Sequence, residues 1–222
     1  MPNELAYALA GLFSYFVGAI PSGYVLVKLR TGKDVRTLGS GNIGATNVAR
    51  ALGTAWFFPV FVLDFFKGFA PVFWLAPWVS AQWKCASCSA PTVTLAVFCA
   101  LLALVGHMWP IYLGFRGGKG VATVGGILFA MNWIAALIAI GVWGLVVLLF
   151  RYVSLGSLVA AVSLPVAHQM TARYGMGRWA GETPWVMTVF LAVAAVLVIF
   201  RHRSNLKRLI EGTEQRVGKK TA

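Results

Sequence analysis

The chain is built from apolar runs, each roughly 17–25 residues long, set between clusters of lysine and arginine. A helix of that length spans a hydrocarbon core of about 30 Å, so the runs specify crossings of a bilayer. Composition leaves little else: of 222 residues 59% are hydrophobic and 11% charged, and the mean hydropathy is +0.77. A soluble domain carries about 25% charged residues, so this supply could not tile a water-facing surface. A cytosolic globule and a disordered chain are thereby excluded. A secreted disulfide domain is excluded as well, because there are only three cysteines. The 19 Lys+Arg against 6 Asp+Glu give a formal charge of +13, which in a soluble chain would suggest nucleic acid. Placed between apolar runs, the same charge sets membrane orientation and meets anionic ligands. Membrane lipid is therefore the expected surrounding, and no nucleic-acid partner is expected.

The first run extends from Leu5 to about Leu29; Glu4 precedes it and no basic segment does, unlike a cleavable signal peptide. Lys28, Arg30, Lys33 and Arg36 close it, which puts that end in the cytoplasm and Met1 outside. The second run, Thr54 to Val79, leads out to a loop, Ser80 to Pro91, whose one basic residue is Lys84. The third, Thr92 to Phe115, returns to Arg116 and Lys119. Val121 to Phe150 would form one helix of about 45 Å, too long for a single crossing. Leu155–Met170 and Pro184–Phe200 follow, and then a basic segment that belongs inside. Three crossings cannot join an inside start to an inside end, and four can. The long run is therefore expected to break near Met131–Asn132. The expected fold is an all-α integral membrane protein with seven transmembrane helices, two of them short. Its N-terminus lies outside and its C-terminus in the cytoplasm, as one polytopic domain over residues 1–222 with a basic tail at 201–222. Fifteen of the 19 basic residues then face inward, the exceptions being Lys84, Arg173, Arg178 and the intramembrane Lys67. Gly11, Gly18, Gly141 and Gly144 are expected to let helices pack closely.

Three segments on the inner face carry more than orientation requires. The first, Ser40-Gly41-Asn42-Ile43-Gly44-Ala45-Thr46-Asn47-Val48-Ala49-Arg50, combines hydroxyls, amides and glycines with one arginine. Gly41 and Gly44 permit tight turns, and Ser40, Asn42, Thr46 and Asn47 supply neutral donors and acceptors. Ala45 to Leu52 fits a short interfacial helix from which Arg50 can bind a phosphate in bidentate fashion. A plainer reading makes this a polar cap with Ser40 or Asn42 as the N-cap. The second runs Gly106-His107-Met108-Trp109-Pro110, then Phe115-Arg116-Gly117-Gly118-Lys119-Gly120-Val121-Ala122-Thr123. A glycine-rich turn entering a helix aims backbone N–H groups at one point; Lys119 adds a charge and Thr123 a hydroxyl, a combination suited to phosphate. It is not a Walker A loop, whose pattern would need Gly at Leu113 and Ser or Thr at Gly120. His107, beside Trp109 and Pro110, fits a structural hydrogen-bonder better than a catalyst. The third segment, Arg201 to Glu214, places His202 and Asn205 three apart on one helical face with Arg208 or Leu209. Its charge alone would be an ordinary flank of a last helix.

Elsewhere, Asp64 and Lys67 are spaced for an i,i+3 ion pair within the membrane and are read as structural. Cys85 and Cys88 form an outer C-x-x-C, compatible with a local disulfide and poor for a metal because no His is near. Cys99 is read as packing, and His168 sits near an outer helix end. Inner-face carboxylates reduce to Asp34, Glu211 and Glu214, so neither a metal centre nor a cofactor is expected. No histidine has Asp five positions on: His107 leads to Tyr112, His168 to Arg173 and His202 to Lys207. The H-x-x-x-x-D signature of thioester-using glycerolipid acyltransferases is thus missing. A carrier for phosphorylated solutes would want charge near mid-membrane, where Asp64–Lys67 is the only pair. A lipid-phosphate hydrolase would want a metal or a histidine nucleophile set.

The segments S-G-N-I-G-A-T-N-x-x-R (40–50), G-H-x-W-P…F-R-G-G-K-G-V-A-T (106–123) and H-R-x-N-x-x-R-L-x-x-G-x-E (202–214) resemble, in order, those of the acyl-phosphate:glycerol-3-phosphate acyltransferase (PlsY) family of bacterial inner membranes. The resemblance covers essentially the whole chain. It implies a seven-helix fold with its N-terminus outside and an active site on the cytoplasmic face. It also implies transfer of a fatty acyl group from acyl phosphate to the sn-1 hydroxyl of glycerol 3-phosphate, giving lysophosphatidic acid and phosphate for phospholipid synthesis, by a chain expected to be monomeric. Carried over, Ser40, Lys119, His202 and Asn205 are the catalytic set. Ser40, Asn42, Arg50, Lys119 and Arg208 hold glycerol 3-phosphate, and Gly117, Gly118, Lys119, Gly120 and Thr123 hold acyl phosphate. The outer C-x-x-C is not a feature associated with that family.

Overall fold

The structure, a computed structural model, describes residues 3–83, 92–179 and 184–218. Lys84, Cys85, Cys88, Lys219 and Lys220 lie outside the described residues. The chain forms two compact units, Met1–Met131 and Asn132–Ala222. The first contains α1 (Asn3–Ala19), α2 (Ser22–Thr31), α3 (Ala45–Leu52), α4 (Phe57–Ala70), α5 (Ala76–Gln82), α6 (Thr92–Met108) and α7 (Val121–Met131). A π-helical turn, Pro71–Leu75, joins α4 to α5 where the ring of Pro71 has no N–H to give the α ladder. The second unit contains α8 (Trp133–Phe150), α9 (Val153–Arg173), α10 (Pro184–Arg201) and α11 (Arg203–Ile210).

Among the described residues, five helical stretches are long and apolar enough to cross a bilayer: Glu4–Thr31, Thr54–Gln82, Thr92–Leu113, Trp133–Phe150 and Val153–Arg173. Trp185–Arg201 and Arg203–Ile210 together make a sixth, bent by 60°, and Val121–Met131 is apolar but shorter. The all-helical membrane architecture expected from the runs is thus present. So is the break in the thirty-residue run. Asn132 leaves helical geometry at φ −153°, and its Oδ1 accepts from the N–H of Ala135 at 3.1 Å to cap α8. Its Nδ2 donates to Thr171 Oγ1 at 2.7 Å and to the Met176 carbonyl at 3.1 Å. One polar residue therefore ends α7, starts α8 and ties α8 to α9.

Lipid cannot drive helices together by hydrophobicity, so close packing must do it. In the first unit α1 pairs with α6 and α4 with α7. Each contact runs backbone to backbone through glycine. A Cβ on Gly18 would overlap the Ala103 carbonyl, and one on Gly106 the Tyr15 carbonyl. One on Gly68 would overlap the Thr123 carbonyl, and one on Gly126 the Phe65 carbonyl. Gly11, as expected, packs against Phe98. Gly141 and Gly144 do not fit the expectation: a Cβ on either meets nothing within 4 Å. α8 meets α9 instead through Gly156, whose Cβ would lie 2.7 Å from Val147 Cγ2 and 3.0 Å from the Trp143 carbonyl. The opposite surface of α8 presents side chains such as Leu148, 77% exposed, suited to acyl chains.

These contacts predict opposite outcomes for two glycine substitutions. Gly126→Val must separate α4 from α7 and should cost about 1–3 kcal/mol, read as a fall in Tm in detergent. Gly144→Ala adds a methyl group in open space and should leave Tm unchanged or raised, since Ala favours helix over Gly by about 0.8–1.0 kcal/mol.

Candidate active site

In the first unit, residues 34–50 are wound around one amide. Asn47 is buried in the first turns of α3; its Oδ1 accepts from the N–H of Ser40 at 2.8 Å. Its Nδ2 donates to the carbonyls of Asn42 at 2.8 Å and Leu38 at 2.9 Å, with Val35 O at 3.3 Å. Gly39 and Gly41 take φ of 52° and 70°, so that the backbone can curl around this side chain. A Cβ on Gly39 would overlap Asn47 Oδ1. The same Cβ would lie 4.0 Å from Arg50 Cδ, so the arginine stem runs alongside the Ser40 turn. Ser40 and Arg50 are both exposed. α3 occupies Ala45–Leu52, as the sequence predicts, but its N-cap is Gly44 rather than Ser40 or Asn42. Asn42 acts one step earlier, its Oδ1 accepting from the N–H of Gly44 at 2.9 Å in an Asx turn.

Before this loop, Asp34 caps the turn Val35–Thr37 and receives the Arg36 guanidinium at 2.7 Å. That hydrogen-bonded guanidinium holds the Asp34 carboxyl below the usual carboxylate range. Arg36 Nη1 also reaches the Leu113 carbonyl at 3.4 Å. Leu113 in turn packs with Val27, Val35, Ile43, Val48 and Val60 in one small core. The first and second segments are therefore fastened to the same end of this unit.

The second segment turns back on α6 before entering α7. Gly117 N–H donates to the Met108 carbonyl at 3.2 Å and Gly118 N–H to the His107 carbonyl at 3.0 Å. Two of the N–H groups expected to point at an anion are thus committed to the backbone. The glycines are needed for space: a Cβ on Gly118 would overlap the His107 ring, and one on Gly117 the His107 carbonyl. Gly120, at φ 82°, sits 2.5 Å by its virtual Cβ from Met108 Cε. Thr123 also differs from expectation, because its fully buried hydroxyl donates across to the Asp64 carbonyl at 3.0 Å. What α7 offers an anion is its first turn of N–H groups, Val121 to Thr123, which have no acceptor within the helix. Lys119 is half-buried at its start. Asp64 and Lys67 form the expected ion pair, at 2.6 Å and with both side chains 5% exposed. His107 Nδ1 lies 4.0 Å from the same carboxylate oxygen.

In the second unit the centre is a carboxylate. Glu214 Oε1 accepts from Ser154 Oγ and from Asn205 Nδ2, each at 2.7 Å, and Oε2 from Arg208 Nε at 2.7 Å. Burial pushes the Glu214 carboxyl up, but the three hydrogen bonds outweigh it and hold the carboxyl below its ordinary range. Asn205 and Arg208 share a face of α11, as their spacing predicts, and Glu214 fixes both. His202, at the 60° bend, is buried and its Nδ1 lies 2.8 Å from the Val198 carbonyl. A carbonyl only accepts, so Nδ1 is the donor in this contact. Sequence reasoning missed Asn47, Ser154 and Glu214 as organisers. Asn47 and Glu214 lie within the quoted segments; Ser154 carried no signal.

The class the fold defines is a helical integral membrane protein, with the Ser40–Arg50 loop and Leu113 fastened together at one end of its first unit. Residues 8–212 match the family described as glycerol-3-phosphate acyltransferase. Among similar proteins, glycerol-3-phosphate acyltransferase of Brucella anthropi is 38% identical over 221 residues, covering 99% of this chain and 98% of that one. The enzyme of Thermosynechococcus vestitus is 39% identical over 220 residues, covering 98% of each. The crystal structure of PlsY (YgiH), an integral membrane glycerol 3-phosphate acyltransferase, in its glycerol 3-phosphate form superposes with a TM-score of 0.78 at 38% identity over 96% of both chains. Its lysophosphatidic acid form gives 0.76 at 36% identity, covering 96% of this chain and 95% of that one. The chain belongs to the glycerol-3-phosphate acyltransferase family.

The Glu214 cluster predicts a pH-dependent stability. The folded-state pKa lies below the unfolded one, so between the two the unfolded chain binds the extra proton and stability rises with pH. The contribution is complete above the ordinary carboxylate range and is lost as pH falls through the lowered value. Glu214→Gln should flatten this acid limb and lower Tm at neutral pH by the equivalent of about 1–3 kcal/mol. Thermal unfolding followed from acid to neutral pH checks both.

Proposed function

We propose that the protein transfers a fatty acyl group from acyl phosphate to the sn-1 hydroxyl of glycerol 3-phosphate, forming lysophosphatidic acid and phosphate for phospholipid synthesis. The observation that carries this reading is the common anchoring, on one small core, of the Ser40–Arg50 loop and of Leu113, four residues before the Gly117–Gly120 turn. It supports one phosphate-handling region made of Arg50, Lys119 and helix N–H groups. Ser40, Asn42, Arg50 and Lys119 take glycerol 3-phosphate; the arginine fork grips the phosphate in bidentate fashion. Lys119 and the first turn of α7, including the Thr123 N–H, take the phosphate of the acyl donor, while Gly117, Gly118 and Gly120 leave room for the turn. In the second unit, Asn205 and His202 orient the reacting groups, and Arg208, its Nε held by Glu214, offers its remaining N–H donors to glycerol 3-phosphate.

Acyl phosphate already carries a good leaving group. The sn-1 oxygen forms a bond to the acyl carbon, the bond from that carbon to the phosphate oxygen breaks, and phosphate departs with its electron pair. The hydroxyl proton is passed to a base; among the proposed residues His202 Nε2 has the right tautomer for it. Catalysis then consists of alignment and stabilisation of charge as phosphate leaves, with no covalent enzyme intermediate. We also propose seven crossings with the N-terminus outside; of the two helices expected to be short, α7 is so at 11 residues, while α8, at 18, is long enough to cross. The active site then faces the cytoplasm from a bacterial inner membrane. The apolar segments and the inward majority of basic residues support that arrangement.

Purified protein supplied with a long-chain acyl phosphate and glycerol 3-phosphate should form lysophosphatidic acid, and an acyl thioester should not replace the donor. Lys119→Ala should lower kcat/KM by about 100-fold or more, the scale of losing one charge-stabilising donor. Near-normal turnover of that variant would sink the phosphate assignment, and trapping an acylated serine or cysteine would sink direct transfer.

A further inference from the structure

We propose that Asp64 and Lys67 are positioning residues for the donor-phosphate turn, acting through His107. An ionised pair with both side chains 5% exposed is expensive inside a membrane segment, and apolar residues could fill its place more cheaply. Helix contact does not require it, because Gly68 and Gly126 already bring the α4 and α7 backbones together.

The pair's neighbours lead toward the turn. Asp64 Oδ1 bonds Lys67 Nζ at 2.6 Å and lies 4.0 Å from His107 Nδ1. That separation is longer than a hydrogen bond, so the carboxylate acts on the imidazole through charge and packing. The same histidine occupies the space a Gly118 side chain would need, and its carbonyl accepts the Gly118 N–H at 3.0 Å. Gly118 precedes Lys119 directly. The Asp64 main-chain carbonyl independently holds Thr123 Oγ1 at 3.0 Å, on the first turn of α7. Lys67, Asp64 and His107 thus brace one side of the segment 117–123, and Thr123 is pinned to the same residue from the other. Lys67 acts as the counter-charge to Asp64. The proposal rests on the reading of this segment as the acyl-phosphate site and adds a residue set behind it.

The test compares full-length wild type, Asp64→Asn with Lys67→Met, His107→Gln, and the triple variant, by Tm and by steady-state kinetics on both substrates. The paired variant removes both charges, so that neither is left buried alone. A brace on the donor turn predicts a roughly tenfold higher KM for acyl phosphate and a smaller rise, about threefold at most, for glycerol 3-phosphate, which shares Lys119. His107→Gln should give the same split, and the triple variant should be no worse than either parent, as expected for one coupled chain. A paired variant with wild-type kinetics, equal rises in both KM values, or additive losses in the triple variant would overturn the proposal. If the paired variant fails to fold, His107→Gln still decides: an unchanged acyl-phosphate KM overturns the brace, and a selective rise supports it. Wild type that cannot use acyl phosphate at all would instead sink the activity on which the proposal rests.

Discussion

The first unit depends on glycine allowing one helix backbone to touch another. Between apolar helices in lipid, burial supplies no net drive, and dispersion across a tight interface must replace it. Gly18 and Gly106 bring α1 onto α6, and Gly68 and Gly126 bring α4 onto α7. The second contact has a chemical consequence. Only at backbone distance can the short hydroxyl of Thr123 cross from α7 to the Asp64 carbonyl. Helix packing is thus converted into the register of the turn that precedes α7. A looser interface, with larger residues at positions 68 and 126, would move the start of that helix away from the residues behind it.

The polar segments follow a second rule: each is organised by one buried group that satisfies several others. Asn47 gathers the N–H of Ser40 and the carbonyls of Leu38 and Asn42, and Glu214 gathers Ser154, Asn205 and Arg208. Asn132 does the same between α8 and α9. Loops without regular structure would otherwise leave backbone groups unsatisfied near the hydrocarbon boundary, where each costs several kcal/mol by rough transfer estimates. Networks of this kind also immobilise exposed side chains close by. Ser40 is held by its own N–H while its hydroxyl faces outward, and Arg50 lies along the turn that the amide pins.

Much of this was legible before the structure. Run lengths and flanking charges gave the helical membrane architecture. Run length together with topological parity placed the break near Met131–Asn132, where Asn132 caps α8. The Asp64–Lys67 spacing gave the ion pair, and residues 45–52 gave α3. The errors have a common cause. Gly141 and Gly144 were taken as packing residues from their identity and helical location, yet which side of α8 meets α9 is decided by tertiary partners such as Gly156. The N–H groups of Gly117 and Gly118, and the Thr123 hydroxyl, look free in a sequence because their acceptors, Met108, His107 and Asp64, come from elsewhere. Residue type shows what a group can do; which partner claims it first is a property of the fold.

The same distinction applies to the +13 charge. Orientation needs only an excess of bases near helix ends, and exposed residues such as Lys28, Lys33 and Lys207 suit that need. Arg36, Arg208 and Lys67 are instead committed to Asp34, Glu214 and Asp64, half of the chain's six acidic residues. Such pairing neutralises charge, so these bases add shape more than attraction. Arg50 and Lys119 stand beside glycine turns whose backbones are held by neutral amides and carbonyls, not by carboxylates. A site meant to hold phosphate benefits from this arrangement: its fixed groups impose geometry without adding negative charge that would repel the ligand. Where acidic residues do approach these segments, Asp34 and Asp64 come with their own counter-charges, Arg36 and Lys67.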